Sequence, residues 1–310
     1  MSPEKDLKTI LDKLQYADSA QVQRQLVDQT LQVKIRMGQI KRKLVVMSGK
    51  GGVGKSMTTT NLALAFSRLG HRVGVLDVDL NGPCIPKMLG MKGRFEITPD
   101  GAIPPVGPRG IKVASMDFFL KEENSSVQWK GPMELSPVWL GLMEMNVIRE
   151  FLSDIVWTDV DYLLADLPPG AAADKPPVIA GFIPELDGAI VVTTPSEVAM
   201  TVVKKSIGYA RDVGIPIIGL IENMSGALCP KCDEEVPFFD GGSEDLCAEL
   251  DVPLLGKVPF DAQLAKACDH GIPLPDNHRI TKYFDDIAKK IQKSLGTKKI
   301  LAEESLRRSQ

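Results

Sequence analysis

Residues 49–56 read Gly49-Lys50-Gly51-Gly52-Val53-Gly54-Lys55-Ser56. This is a complete G-x-x-x-x-G-K-[ST] phosphate-binding loop with a second lysine inside it. Its glycines let successive backbone N–H groups turn inward around phosphate oxygens, where a Cβ would obstruct the turn. Lys55 brings a positive charge to the β- and γ-phosphates, and the Ser56 hydroxyl suits Mg²⁺. The loop follows the apolar run Leu44-Val45-Val46-Met47 and precedes a helical pattern from Met57 to Leu69. That strand-loop-helix order also aims a helix N-terminus at the anion. A chance glycine turn would lack both the full motif and this context.

From residue 43 onward, short apolar runs alternate with helical segments. The predicted strands are 43–48, 72–79, 111–116, 161–167, 188–194, 215–221 and 253–258. Most are rich in Val, Ile or Leu without polar alternation, as in strands buried on both faces. Helices are predicted at 57–69, 136–153, 196–213, 243–250, 261–269 and 278–295. The alternation argues for an α/β fold, a doubly wound and mostly parallel sheet flanked by helices. Proline and glycine in 81–110 predict loops with a short helix or hairpin.

This pattern occupies residues 41–296 as one domain. Residues 1–40 form an N-terminal extension. Val22, Leu26 and Val27 suit a short helix, and the alternation of Leu31, Val33, Ile35 and Met37 predicts an edge strand after it. Residues 297–310 read as a charged, frayed tail. The stripe Phe284, Ile287, Ile291 and Leu295 predicts a final helix docked on the sheet; its lysines alternatively suit a membrane surface.

A net charge of −3 gives no basic field for nucleic acid, so no nucleic-acid partner is expected. No apolar run reaches the roughly 20 residues that span a bilayer, and no membrane partner is expected. The first residues lack a signal-peptide pattern, which makes the cytoplasm the expected location. Five cysteines, an odd number, argue against a disulfide framework. Cys84, Cys247 and Cys268 are single and suit small buried positions. Cys229-Pro230-Lys231-Cys232 is different, because two thiols at this spacing chelate one metal centre.

The 72–79 strand ends in Asp77-Val78-Asp79, and the 161–167 strand ends in Asp166-Leu167-Pro168-Pro169-Gly170. In an open parallel sheet, ligands sit at the carboxyl ends of strands. Carboxylates there, beside a phosphate loop, suit metal coordination and orientation of a water. Leaving them buried and unpaired would be costly.

Taken together, these motifs resemble the Mrp/NBP group of iron–sulfur carrier ATPases. That group lies in the deviant-Walker-A class that includes nitrogenase iron protein, MinD and ParA. The resemblance spans roughly residues 35–290 and rests also on Glu222-Asn223-Met224-Ser225, the Cys-Pro-Lys-Cys pair and Gly256-Lys257-Val258-Pro259-Phe260-Asp261. It implies slow ATP hydrolysis in a homodimer with Mg²⁺, and delivery of a [4Fe–4S] cluster to apo iron–sulfur client proteins. It further implies that Lys50 reaches the partner's nucleotide and that Asp79 positions the hydrolytic water. Asp77 would support the Mg²⁺ shell and Asp166 would stand on the metal side. Asn223 would read adenine, with Pro259 and Asp261 wrapping the base.

Three departures from that pattern stand out: Met57 stands for a threonine, Ala171-Ala172 for Thr-Gly, and Cys84 for a serine. Each places the hydrolysis rate or switch behaviour in question. The Cys229/Cys232 pair gives two of the four ligands that zinc or a four-iron cluster requires. A two-fold dimer brings two pairs together and would hold the cluster between subunits. A zinc-bridged dimer and a redox pair remain alternatives at this point, as do a MinD/ParA-type positioning or partition ATPase and a metal-insertion chaperone.

Overall fold

In the computed structural model, which describes residues 19–80, 82–119, 137–170, 175–229, 231–232, 234–238 and 242–308, the strand-forming runs meet in one eight-stranded sheet. In chain order the elements begin with α1 (Ser19–Gly38), β1 (Arg42–Ser48), α2 (Lys55–Arg68), β2 (Val73–Asp77) and α3 (Ile85–Met88). A hairpin of β3 (Glu96–Thr98) and β4 (Gly101–Ile103) follows, then β5 (Lys112–Ser115), α4 (Pro137–Asp154), β6 (Tyr162–Asp166) and α5 (Lys175–Ala180). The remainder is β7 (Gly188–Thr193), α6 (Glu197–Asp212), β8 (Ile217–Leu228), β9 (Glu235–Pro237), α7 (Ser243–Leu250), β10 (Leu254–Phe260), α8 (Ala262–His270) and α9 (Arg279–Arg308).

The strand order is β10-β8-β7-β1-β6-β2-β5, with β9 pairing antiparallel to β8. All pairs along that main path are parallel. Parallel pairing sends every crossover helix to one face or the other, so the central strands are buried twice. Successive residues of β1 show it: Val45 and Met47 enter the core under α1, α4, α5, α6 and α7, while Leu44 enters the core under α2, α3, α8 and α9. The expected doubly wound sheet is therefore the fold observed.

Four features differ from the sequence expectations. Residues 31–37 are helical, not an edge strand, because α1 runs unbroken to Gly38. Val33, Met37 and Ile40, at i, i+4 and i+7, are the buried positions, whereas Leu31 and Ile35 face solvent. The apparent alternation was the overlap of a buried and an exposed face. Helix α1 packs on α4, where the Arg36 guanidinium donates to the Ser153 carbonyl at 3.3 Å. Second, α9 continues through the predicted tail to Arg308. Residues 297–308 contain no proline and several strong helix formers, including Leu301, Ala302 and Glu303. Third, β8 extends seven residues beyond its predicted end, to Leu228. Fourth, α5 was not foreseen; six residues holding two prolines carry no helical period to read. The helix and hairpin expected within 81–110 are both present, as α3 and β3–β4.

The face assignment of α1 has a direct test. Met37→Ala removes a fully buried side chain and should destabilise the protein by about 2–5 kcal/mol. Leu31→Ala, at an exposed position, should change stability by no more than about 0.5 kcal/mol. Urea unfolding of the full chain measures both; equal losses would restore the strand, which places residues 31 and 37 on one face.

Candidate functional site

The parallel register brings the carboxyl ends of β1, β6 and β2 side by side. Asp166 lies opposite Val46 on one side and opposite Asp77 on the other. Asp166 is fully buried, and three donors from the start of α2 converge on it. Lys55 Nζ and Ser56 Oγ each lie 2.6 Å from Oδ2, and Thr59 Oγ1 lies 2.6 Å from Oδ1. Lys55 and Thr59 are one helical turn apart, which puts both on the face turned to β6. Thr59 was missed in the sequence; its spacing of four from Lys55 is the signal that could have found it.

Asp77 is also buried, and its oxygens are occupied by the protein. Oδ1 accepts the Asp79 N–H at 3.3 Å, and Oδ2 accepts the N–H groups of Cys84 and Ile85 and the Ser115 hydroxyl at 3.1–3.3 Å. Burial first, then the neighbouring Asp166, pushes its carboxyl up to about 7, against the pull of Lys55 and these donors. Asp79 is half-buried, and its Oδ1 accepts the Gly82 N–H at 3.3 Å.

In front of these carboxylates is a cavity of about 220 Å³. Ser48, Lys50, Gly51, Gly52, Val53, Gly54, Lys55, Ser56 and Met57 line one side, and Asp79, Cys84, Met88 and Pro169 the other. Gly49 stays behind this wall, against Val202 of α6. Gly54 takes φ +80, a left-handed conformation open to glycine, and a Cβ there would collide with the Asn223 amide. That amide donates to the Val53 carbonyl at 2.8 Å, so β8 holds the loop from the side.

A second cavity of about 190 Å³ shares Gly54 and Met57 with the first. It is lined by Asn223, Met224, Pro259, Phe260, Asp261, Leu264, Ala265, Cys268 and Asp269. Asp261 also caps α8, accepting the Leu264 N–H at 2.7 Å. Asn223, Pro259 and Asp261, far from the loop in sequence, are thus gathered beside it. Cys84 and Cys268 are not simple core cysteines, since each lines a cavity; burial still pushes both thiols up, Cys84 to about 11. Cys247 is buried as expected.

Cys229 and Cys232 lie outside both cavities. Strands β8 and β9 pair Gly226 with Pro237, Ala227 with Val236 and Leu228 with Glu235. The two cysteines sit in the turn of this hairpin, closed by the Cys229 N–H donating to the Glu234 carbonyl at 2.9 Å. Cys229 is half-buried and Cys232 is exposed. Among the described residues, no three His, Cys, Asp or Glu side chains are grouped to hold a metal ion. Ala171 and Ala172 lie outside the described residues. No helix among them is long and apolar enough to cross a membrane.

A phosphate loop after the central strand β1, with carboxylates ending the next two strands on one side, β6 and β2, defines a P-loop NTPase. More narrowly, the chain belongs to the ParA family as represented by the NUBPL iron-transfer P-loop NTPases, whose model matches residues 39–292. An iron–sulfur cluster carrier protein of Methanocaldococcus jannaschii is 44% identical over 277 residues, covering 88% of this chain and 92% of that one. One from Saccharolobus solfataricus is 42% identical over 282 residues, covering 89% and 91%. Among solved structures, a nucleotide-binding protein from Archaeoglobus fulgidus in complex with ADP matches with a TM-score of 0.67 and 33% identity, over 80% of this chain and 99% of that one. MinD of Pyrococcus furiosus matches at 0.55 and 22%, over 82% and 99%, which is a likeness of fold.

The raised Asp77 carboxyl has a consequence for stability. Its folded pKa lies above the ordinary 3.8, so the folded chain holds a proton that the unfolded chain has released. Stability from this group is full below about pH 4 and declines as pH rises to about 7. Asp77→Asn cannot ionise. Its stability deficit relative to the native chain should therefore narrow between about pH 4 and pH 7, measured as urea midpoints across that range. A constant deficit would mean Asp77 is ionised throughout.

Proposed function

We propose that this chain is an ATP-binding, slowly hydrolysing iron–sulfur cluster carrier that acts as a homodimer. The observation that carries the reading is the hairpin: a half-buried and an exposed thiol in one turn, on the strand whose Asn223 and Met224 line the second cavity. Thiolates are the ligands of a [4Fe–4S] cluster, which needs four of them. One chain offers Cys229 and Cys232, and an isologous dimer offers two such pairs. A cluster held this way is cargo, shared between subunits and open to release to apo iron–sulfur client proteins. The names of the archaeal relatives support the same cargo.

ATP is the proposed nucleotide. Backbone N–H groups of Gly51, Gly52, Val53, Gly54 and Met57 would cradle its phosphates with Lys55, while Gly49 lets the loop pack closely on Val202. Asn223, Pro259 and Asp261 would hold the base. Mg²⁺ fits the hard oxygen donors Ser56 and Asp166, with Asp77 and Asp79 behind them, and would neutralise charge on the β- and γ-phosphates. Asp79 would orient the attacking water. Lys50, half-buried at the cavity mouth, would reach the partner's nucleotide. Cys84, Cys247 and Cys268, held as thiols, suit a reducing compartment, and the cytoplasm is the proposed location.

Reconstitution with iron and sulfide in the absence of oxygen tests the cargo. The protein should hold about four irons per two chains, the nuclearity of a Cys₄-ligated cube. Cys229→Ala or Cys232→Ala removes two of four ligands by symmetry and should abolish stable iron binding. Iron kept by either variant, or bound by a strict monomer, defeats the bridged cluster. Stoichiometric zinc in protein purified without oxygen would favour a structural metal.

The two lysines separate in function. Lys55→Ala should abolish tight ATP binding by calorimetry, since it removes the charge facing the phosphates. Lys50→Ala should keep measurable binding and lose hydrolysis; a native hydrolysis rate in that variant would reject the trans-acting role.

A further inference from the structure

Strand β8 is continuous in chain but interrupted in geometry at one residue. Met224 has φ 58, a left-handed backbone that an L residue with a long side chain seldom takes inside a strand. The pairing with β10 breaks at the same place. Val258 lies opposite Asn223, but Phe260 lies opposite Ala227, so two steps on β10 span four on β8. This is a bulge, and bulges turn the strand that carries the extra residues.

The chain on each side of Met224 is fixed. Before it, Glu222 is buried, accepts the Ser243 N–H at 2.6 Å and lies 3.7 Å from Lys257 Nζ. Asn223 is buried and bonded to the Val53 carbonyl of the phosphate loop. After it, the hairpin is closely joined. A Cβ on Gly226 would lie 2.5 Å from the Val236 carbonyl oxygen, and the Ser225 hydroxyl donates to Glu235 at 3.1 Å. The described residues of the hairpin are thus joined across β8 and β9, with Cys229 and Cys232 in the turn, and are tied to the sheet by Ala227 opposite Phe260 and by Leu228 against the core. Met224 itself lines the second cavity, beside Asn223 and Pro259.

We propose that Met224 is a positioning residue: its left-handed backbone is the joint through which occupancy of the second cavity by a nucleotide base reorients the thiol hairpin. The base and ribose suffice for this movement, so a nucleoside diphosphate acts without a γ-phosphate. A base entering the cavity meets the Met224 side chain, while Asn223 holds the strand below it in place. Displacement is then taken up above the joint, where β8 is paired at Ala227 with Phe260, which lines the same cavity as Met224. This deepens the carrier reading by naming the route from nucleotide to thiols, and its test needs no cluster.

The experiment is alkylation of the reduced, metal-free full chain, with Cys229 and Cys232 followed by peptide mass spectrometry and ADP binding measured by calorimetry on the same samples. Buried Cys247 is the internal reference. In the native chain, saturating ADP should change the Cys229 or Cys232 rate by about threefold or more, as a shifted hairpin population would. Met224→Gly frees the joint, and at saturating ADP the change should shrink to under about 1.5-fold. Met224→Val, whose β-branch resists φ near +60, should shift the nucleotide-free rates by about threefold. Should that variant misfold, the glycine variant decides. Unchanged native rates at calorimetric saturation, or a full response in Met224→Gly, overturn the joint. A native ADP response without any iron binding would keep the joint and reject the cluster cargo; a cluster without an ADP response would do the reverse.

Discussion

Asp166 is the group on which the site's architecture depends. A carboxylate without solvent contact is stable only if its charge and lone pairs are met, and here they are met by Lys55, Ser56 and Thr59. All three come from the first turn and a half of α2, so satisfying one charge fixes the helix against β6. The phosphate loop runs between β1 and that helix and has both its ends anchored as a result. Removing either member of the Lys55–Asp166 pair leaves a buried charge uncompensated, an effect on the order of 3–5 kcal/mol. Loop geometry and the stability of the sheet's centre are therefore coupled through one carboxylate.

Asp77 solves the same problem differently. It sits in register with Asp166, and two adjacent buried carboxylates cannot both ionise freely. Asp166 takes the lysine. Asp77 takes four neutral donors, two of them the N–H groups that begin α3. The segment leaving β2 is thereby tied to the sheet, and Asp79 and Cys84 are held facing the loop across the cavity.

The sheet itself is common to proteins of different purpose, as the likeness to MinD at 22% identity illustrates. Strand β8 carries several groups that shape the site. Adjacent residues of that strand serve opposite faces: Glu222 secures α7 and β10, and Asn223 secures the phosphate loop. The strand then turns at Met224, pairs again with β10 at Ala227 and ends in the cysteine hairpin. On the β9 side of that hairpin all three residues are exposed, while on the β8 side Gly226 is buried and Leu228 packs against the core.

Much of this was legible in the sequence because it is local. The phosphate loop must be contiguous to wrap its anion, and buried parallel strands announce themselves as unbroken apolar runs. The Asp77-Val78-Asp79 and Asp166 strand ends could be read for the same reason, as could the Cys-Pro-Lys-Cys pair. The edge strand at 31–37 failed because overlapping helical faces imitate a period of two over a few residues; only packing on α4 shows that Met37 is inside and Leu31 outside. Ser115 carried no sequence signal of its own, Thr59 only its spacing of four from Lys55, and Met224 only its place in a motif; each matters through a partner or a pairing that the assembled sheet brings to it. Sequence determined which groups are present and the order of the strands that bear them. Tertiary structure decided which carboxylate is paired with lysine and which with neutral donors, and where β8 turns, because burial and register are properties of the assembled sheet.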